Sequence, residues 1–246
     1  MVSAQDRDLS AWPGAERRRP PYSLPTYAVR APLARWIERE AKAAAAGRSE
    51  PLRVLDVGCG SKPYYPFFAR FEVEYVGLDV VENPLAELQG SVEEIPAPDG
   101  SFDLVLCTQV LEHCDEPARA VRELRRVLTP GGRALVSTHG VQVYHPSPQD
   151  LWRWTHAGLE RLFSTSADWA RLVVEPSAGT AACLAMLLAT YADLAAKRAH
   201  VRPAARGVAW ALNRGAEAID RRAAILREPR PGTLFANLHV TADAPG

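Results

Sequence analysis

Four cysteines in 246 residues, with no CxxC pair, leave neither a zinc-ligand spacing nor a disulfide framework. Cys59, Cys107, Cys114 and Cys183 read as small buried apolar residues, and a reducing, cytoplasmic setting is the expectation. Charge of one sign is missing too. The 29 Lys+Arg balance 29 Asp+Glu, so bulk electrostatics offers no hold on nucleic acid. The longest apolar run, ACLAMLLA (182–189), falls well short of the ~20 residues a spanning helix needs. The opening MVSAQDRDLSAWPGAERRRPP has no apolar stretch of the kind a secretory signal requires. No internal repeat is visible.

What remains is a chain with 47% apolar residues, enough for one large α/β domain. Residues 1–25 read as a disordered or surface-wrapped arm, and 26–246 as the domain. Residues 26–46, rich in alanine and charge, predict a helix ending at Gly47. LRVLDV (52–57), EYVGLDV (74–80), FDLVLCT (102–108), RALVST (133–138), ARLVVEP (170–176) and TLFANLHVTA (233–242) read as strands. Their near-continuous apolar character suits a parallel sheet covered on both faces. In DEPARAVRELRRVLTPGG, Asp115 is a candidate helix cap and Pro117 sits in the first turn. Val121, Leu124 and Leu128 share a face, and Pro130-Gly131-Gly132 stop the helix. Thr155 caps a further helix whose Leu159, Leu162 and Phe163 face inward. Repeated strand–helix–strand units make a doubly wound, Rossmann-like sheet. Between the last two strands, 178–228 reads as a helical insertion with one stripe of Val208, Leu212, Ala216, Ile219, Ala223 and Leu226.

The segment VLDVGCG (54–60) sets Asp56, Gly58, Cys59 and Gly60 directly after the first strand. Glycine there lets a ligand approach the backbone. A nicotinamide-dinucleotide fingerprint would have a third glycine where Pro63 stands, and the phosphate-cradling GxxxxGK[ST] is absent. The loop therefore suits a ligand without a pyrophosphate, cationic near Asp56. Asp79 ends the second strand, where a carboxylate can accept two hydrogen bonds from a ribose diol.

VLDVGCGSKPY (54–64), VGLDV (76–80), IPAPDGSFDLVLCTQVLEHCDEP (95–117) and LRRVLTPGGRALVST (124–138) resemble the class I S-adenosylmethionine-dependent methyltransferases, in the broad subgroup called methyltransferase type 11. The resemblance is strong over 52–140 and looser over 141–175 and the last strand. It implies seven strands, mostly parallel with an antiparallel last one, and S-adenosyl-L-methionine as cofactor. It further implies that Asp56, Gly58, Cys59 and Gly60 approach the methionine part. Asp79, with Val80 beside it, would hold the ribose. Thr108, Gln109 and Val110 would line the methyl-transfer site. The family commonly has an aspartate near the adenine amino group. Ser91 stands there instead, with the backbone of Val92 as a further contact.

The loop THGVQVYHPSPQDLWRWTHAGL (138–159) resembles a sub-pattern H-x-x-P-x-D-x-x-R-x-T, carried here by His145, Pro148, Asp150, Arg153 and Thr155. His145 and His113 are candidate bases, since histidine moves protons near neutral pH. Asp150 either orients a histidine or pairs with Arg153 three residues on. Trp152 and Trp154 wall a substrate or join the core. Tyr27 and Arg30 are lid candidates, and Tyr64 or Tyr65 is a cofactor contact. The expectation is a small-molecule methyltransferase acting on a hydroxyl of a sugar-containing or secondary-metabolite substrate. The alternatives are N- or C-methylation and an inactive cofactor-binding partner subunit. The insertion reads as a cap or a homodimer face, and balanced net charge speaks against a membrane contact.

Overall fold

The computed structural model describes residues 9–146 and 148–246; the first eight residues of the expected arm lie outside them. The arm continues as α1 (Ala15–Arg18) and leads into α2 (Tyr27–Ala45). Then come β1 (Leu52–Val57), α3 (Tyr65–Phe68), β2 (Val73–Asp79), β3 (Leu88–Gln89), β4 (Phe102–Thr108), a 3₁₀ turn (Leu111–His113) and α4 (Pro117–Arg126). β5 (Leu128–His139), α5 (His156–Ser166), β6 (Arg171–Pro176), α6 (Thr180–Ala199), α7 (Arg202–Arg222) and β7 (Asn237–Asp243) complete the chain.

One sheet holds all seven strands in the order β3-β2-β1-β4-β5-β7-β6, with β7 antiparallel to both neighbours. Side-chain alternation explains the apolar runs. In β4, Phe102, Val105 and Cys107 face a cluster built with α4 and α5, while Leu104 and Leu106 face one built with α2 and α3. Both faces are dry, so nearly every position must be apolar.

The structure departs from the sequence expectation at several places. α4 ends at Arg126, and no side-chain bond from Asp115 caps its start. Pro130-Gly131-Gly132 lie inside β5, where the register against β4 shifts between Phe102 and Leu104. Gly131 takes φ +71°, the left-handed turn such a bulge needs. The last strand begins at Asn237, four residues later than expected, and the two-residue β3 was not foreseen.

The insertion forms the α6–α7 hairpin, but its buried face is rotated from the expected stripe. Ala205, Ala209, Asn213, Ala216 and Asp220 turn inward, while Val208 and Ile219 are exposed. Alanines let α7 pack closely on Ala182, Cys183, Ala185 and Met186 of α6. The two polar residues on this face find partners, with only the Asn213 Oδ1 left without one. Asp220 accepts from the Ala181 and Ala182 N–H groups at the start of α6, and Asn213 Nδ2 donates to the Tyr22 and Leu24 carbonyls. The last two bonds tie α7 to the arm. Farther up the arm, Trp12 Nε1 donates to the Lys62 carbonyl at 2.9 Å and Arg18 to the Pro63 carbonyl at 2.7 Å, seating α1 on the loop after β1.

Candidate active site

The carboxyl ends of β1, β2 and β4 open onto a crevice of about 360 Å³. Gly58, Asp79, Val80, Ser91, Val92 and Gln109 border it. Past Gly58 lies a smaller recess of about 90 Å³, bordered by Asp56, Cys59, Gly60, Tyr64, Thr108 and Arg17 of the arm. Every residue proposed from sequence to meet the cofactor therefore borders one space or the other. Gly58 has φ +66°, and a Cβ there would stand 2.5 Å from Val110 Cγ2, so a side chain is excluded on two counts.

Asp79 is held ready at the strand tip. Its Oδ2 accepts from Gly60 N at 3.2 Å and Asn83 Nδ2 at 2.9 Å. Those bonds fix the carboxylate at the crevice edge. Asp56 is 2% exposed and accepts from the Tyr75 hydroxyl at 2.7 Å. Burial raises its pKa to about 7, against the opposing effects of that bond and of Lys62. Ser91 Oγ accepts from Glu93 N at 3.1 Å and caps its own turn. Gln109, at φ +58°, donates from Nε2 to Ser137 Oγ and Asn237 Oδ1, and its buried Oε1 has no partner. An acid at the β2 tip, apolar Val80 and Val92, and a recess holding Asp56 and Arg17 fit an adenosine joined to a zwitterionic tail.

The 138–159 loop is fastened to the turn after β4. The Glu112 carbonyl accepts from Leu151 N at 2.9 Å and Trp152 N at 3.2 Å, and Trp152 Nε1 donates to the Cys114 carbonyl at 2.7 Å. His113 Nδ1 meets the Gln149 carbonyl. A carbonyl only accepts, so Nδ1 carries the proton and Nε2 keeps a lone pair in the neutral ring. His113 borders the crevice and His145 does not; their ring centroids are 5.2 Å apart. Burial, then His113, lowers the His145 pKa.

Asp150 is committed to the loop itself. Arg153 grips both its oxygens, at 2.5 and 2.7 Å, and His145 N donates to Oδ2 at 2.9 Å. The guanidinium holds this carboxyl well below the usual carboxylate range. Tyr27 faces Glu217 of α7 rather than the crevice, Tyr64 borders the recess, and Tyr65 packs at a tilt on Trp12. Trp152 and Trp154 stack on each other at 5.5 Å.

Three features escaped the sequence reading. Arg17 was not singled out within the arm. Glu112, fully buried, accepts from Thr138 Oγ1 at 2.8 Å, and its Oε1 lies 3.2 Å from His139 Nε2. Burial raises the Glu112 pKa and pushes that of His139 down to about 3, so the pair resists carrying charge. His139 in turn stands 5.4 Å from the His145 ring, giving three clustered histidines. The visible signal was LEH, which puts Glu112 beside a histidine already suspected.

Residues 55–136 match the methyltransferase domain family. The chain is 34% identical over 121 residues to the ubiquinone biosynthesis O-methyltransferase of Pseudomonas paraeruginosa, an alignment covering 42% of this chain and 48% of that protein. The chain thus spans about half the length of the curated relatives it matches. Among solved structures it is similar to phosphoethanolamine N-methyltransferase 2 of Haemonchus contortus, a complex with phosphomonomethylethanolamine and S-adenosylhomocysteine. That match has TM-score 0.54 and 14% identity, over 85% of this chain and 52% of the other. It is also similar to the [4+2]-cyclase SpnF, with TM-score 0.53 and 19% identity, over 86% and 82%. At such identities the likeness is one of fold. Over residues 55–136 the chain is thus similar to the class I S-adenosylmethionine-dependent methyltransferases.

Proposed function

We propose that the chain is an enzyme transferring a methyl group from S-adenosyl-L-methionine to a small molecule, at a hydroxyl of a sugar-containing or secondary-metabolite acceptor. The observation that carries this reading is the run of space from the Asp79 edge to the Asp56–Arg17 recess, flanked by His113. In the reading, Asp79 accepts from the ribose hydroxyls, Asp56 faces the α-ammonium group and Arg17 the α-carboxylate. The bound cofactor supplies a methyl group on a sulfonium, open to in-line displacement. The protein's part is to align the acceptor oxygen and, for a hydroxyl, to receive its proton. His113 is the base of choice, because its Nε2 is the free acceptor on a ring bordering the crevice. His145 stands behind it, its own pKa lowered by burial and by His113, and Asp150 positions the loop. The O-methyltransferase names of the curated relatives support an oxygen acceptor without fixing it.

Calorimetry tests the first step: S-adenosylhomocysteine binds and NAD does not. Asp79→Ala should weaken binding by roughly 2–3 kcal/mol, the scale of bonds to a charged acceptor. Tight NAD binding with no S-adenosylhomocysteine binding overturns the reading. Once an acceptor is found, His113→Ala should lower turnover by about 10²–10⁴-fold at saturating cofactor and leave cofactor affinity nearly intact. A larger loss in His145→Ala would move the base to the loop.

A further inference from the structure

We propose that one face of the α6–α7 hairpin docks on an anionic lipid surface. Leu184, Leu188, Tyr191 and Leu194 recur at helical spacing on α6 and are exposed, with Leu188 at 60% and Tyr191 at 64%. On α7, Val208 and Ile219 are exposed on one flank. Leu187 and Leu212 pack against the same buried cluster between the two helices. The α6 residues form an apolar row rather than a scatter of single surface residues.

Charge identifies what covers it. Residues 178–230 hold nine Lys+Arg against four Asp+Glu, in a chain whose net charge is zero. All four acids are engaged: Asp193 pairs with Lys197 at 2.9 Å, Glu228 with Arg230 at 2.6 Å, Glu217 takes the Tyr22 hydroxyl, and Asp220 caps α6. Arg198 and Arg222 stand exposed next to the apolar flanks. A second copy docked on this face would bring basic rim against basic rim. A bilayer carrying anionic headgroups takes both the leucines and the arginines.

The hairpin lies on such a surface and does not cross it. α6, at 20 residues, is the one helix among the described residues long and apolar enough to span a bilayer. Yet its inner side packs on protein through Cys183 and Met186, and Asp220 holds its first turn. β6 runs parallel to β5, so α6 leaves the sheet at the same edge that carries the crevice. This proposal does not depend on which reaction the site performs.

Co-sedimentation with phosphatidylcholine vesicles, with and without phosphatidylglycerol, tests it. The wild-type chain should pellet with the anionic vesicles, weakly with the neutral ones, and less as salt rises. Leu188→Glu and Tyr191→Glu should each cut partition by about tenfold or more, the scale of burying one large apolar side chain. Arg198→Glu with Arg222→Glu should remove the preference for anionic lipid. Unchanged thermal unfolding and S-adenosylhomocysteine binding in the variants would show that the fold is intact. Failure of the wild type to pellet, or variants that pellet equally well, overturns the proposal. So does an ultracentrifugation dimer that Leu188→Glu dissolves, since a second copy then covers the face.

Discussion

Replacing Arg17 with alanine should weaken S-adenosylhomocysteine about tenfold and leave 5′-methylthioadenosine unaffected. The second ligand keeps the adenosine and the thioether but lacks the amino-acid end. Arg17 borders the recess with Asp56, and the proposed reading pairs its guanidinium with the α-carboxylate. A hydrogen bond to a charged group contributes about 1.5–3 kcal/mol when shielded. Arg17 is exposed, and solvent screening brings the expectation to the lower end, about 1.4 kcal/mol or tenfold in Kd. The arm itself should stay seated, because Trp12 and Arg18 hold it to Lys62 and Pro63 independently of Arg17. Titration calorimetry of both ligands at one ionic strength reads the difference, and Arg17→Lys should recover part of it. Equal losses for the two ligands would mean that the substitution disturbs the arm rather than a carboxylate contact. No loss for either would remove Arg17 from the site.

Further outcomes follow from buried groups and tight geometry. Asp56 has a pKa of about 7 in the fold against roughly 4 in an unfolded chain, so the folded state keeps a proton that the unfolded one has lost between those values. Its contribution to stability is therefore greatest below pH 4 and drains away as pH rises through 7; Asp56→Asn should flatten that part of a Tm-versus-pH curve. S-adenosylhomocysteine affinity should rise over the same window, as the carboxylate becomes available to an ammonium, and calorimetry at pH 6 and 8 checks this. Gly58→Ala adds a methyl group against Val110 at a positive φ, and should lower stability by roughly 2 kcal/mol, a Tm fall of about 4–8 °C, with weaker cofactor binding. Glu112→Leu strands the Thr138 hydroxyl and should destabilise by about 1–3 kcal/mol in denaturant melts, while Glu112→Gln, which keeps an acceptor, should fall well short of that.

The sheet was legible where burial leaves the residue no choice. β1 and β4 serve a dry cluster on each face, so their apolar runs could be nothing else, and Asp56 within β1 and Asp79 at the end of β2 fall at the ligand edge. β3 was not legible, because two residues carry no period. The inward face of α7 was misjudged for a physical reason. Hydrophobicity alone ranks Val208 and Ile219 above Ala209 and Asn213, but close helix contact selects small side chains, and Asn213 has carbonyls to bond. Arg17 and the Glu112–His139 pair depend on tertiary approach. Nothing local in AERRR or STHG says which side chain will meet a site formed by other strands.

The place of β7 in the sheet bears on how the chain is made. Among the described residues, β7 is the only strand that pairs with β6, and it also covers the open edge of β5. Its last residues close the register beyond the strand: the Pro245 carbonyl accepts from Gly131 N, and Ala244 N donates to the Gly132 carbonyl. A ribosome finishes β6 at Pro176 but does not finish β7 until Asp243. At about 5–20 residues per second, two unpaired strand edges wait for roughly 3–13 s, while the apolar α6–α7 hairpin emerges between them. The nascent chain is then at its most aggregation-prone, and the half of the sheet holding Gly58 and Asp79 is already synthesised. Cofactor captured by that half would steady the chain during the interval, so expression yield should respond to the host's supply of the cofactor.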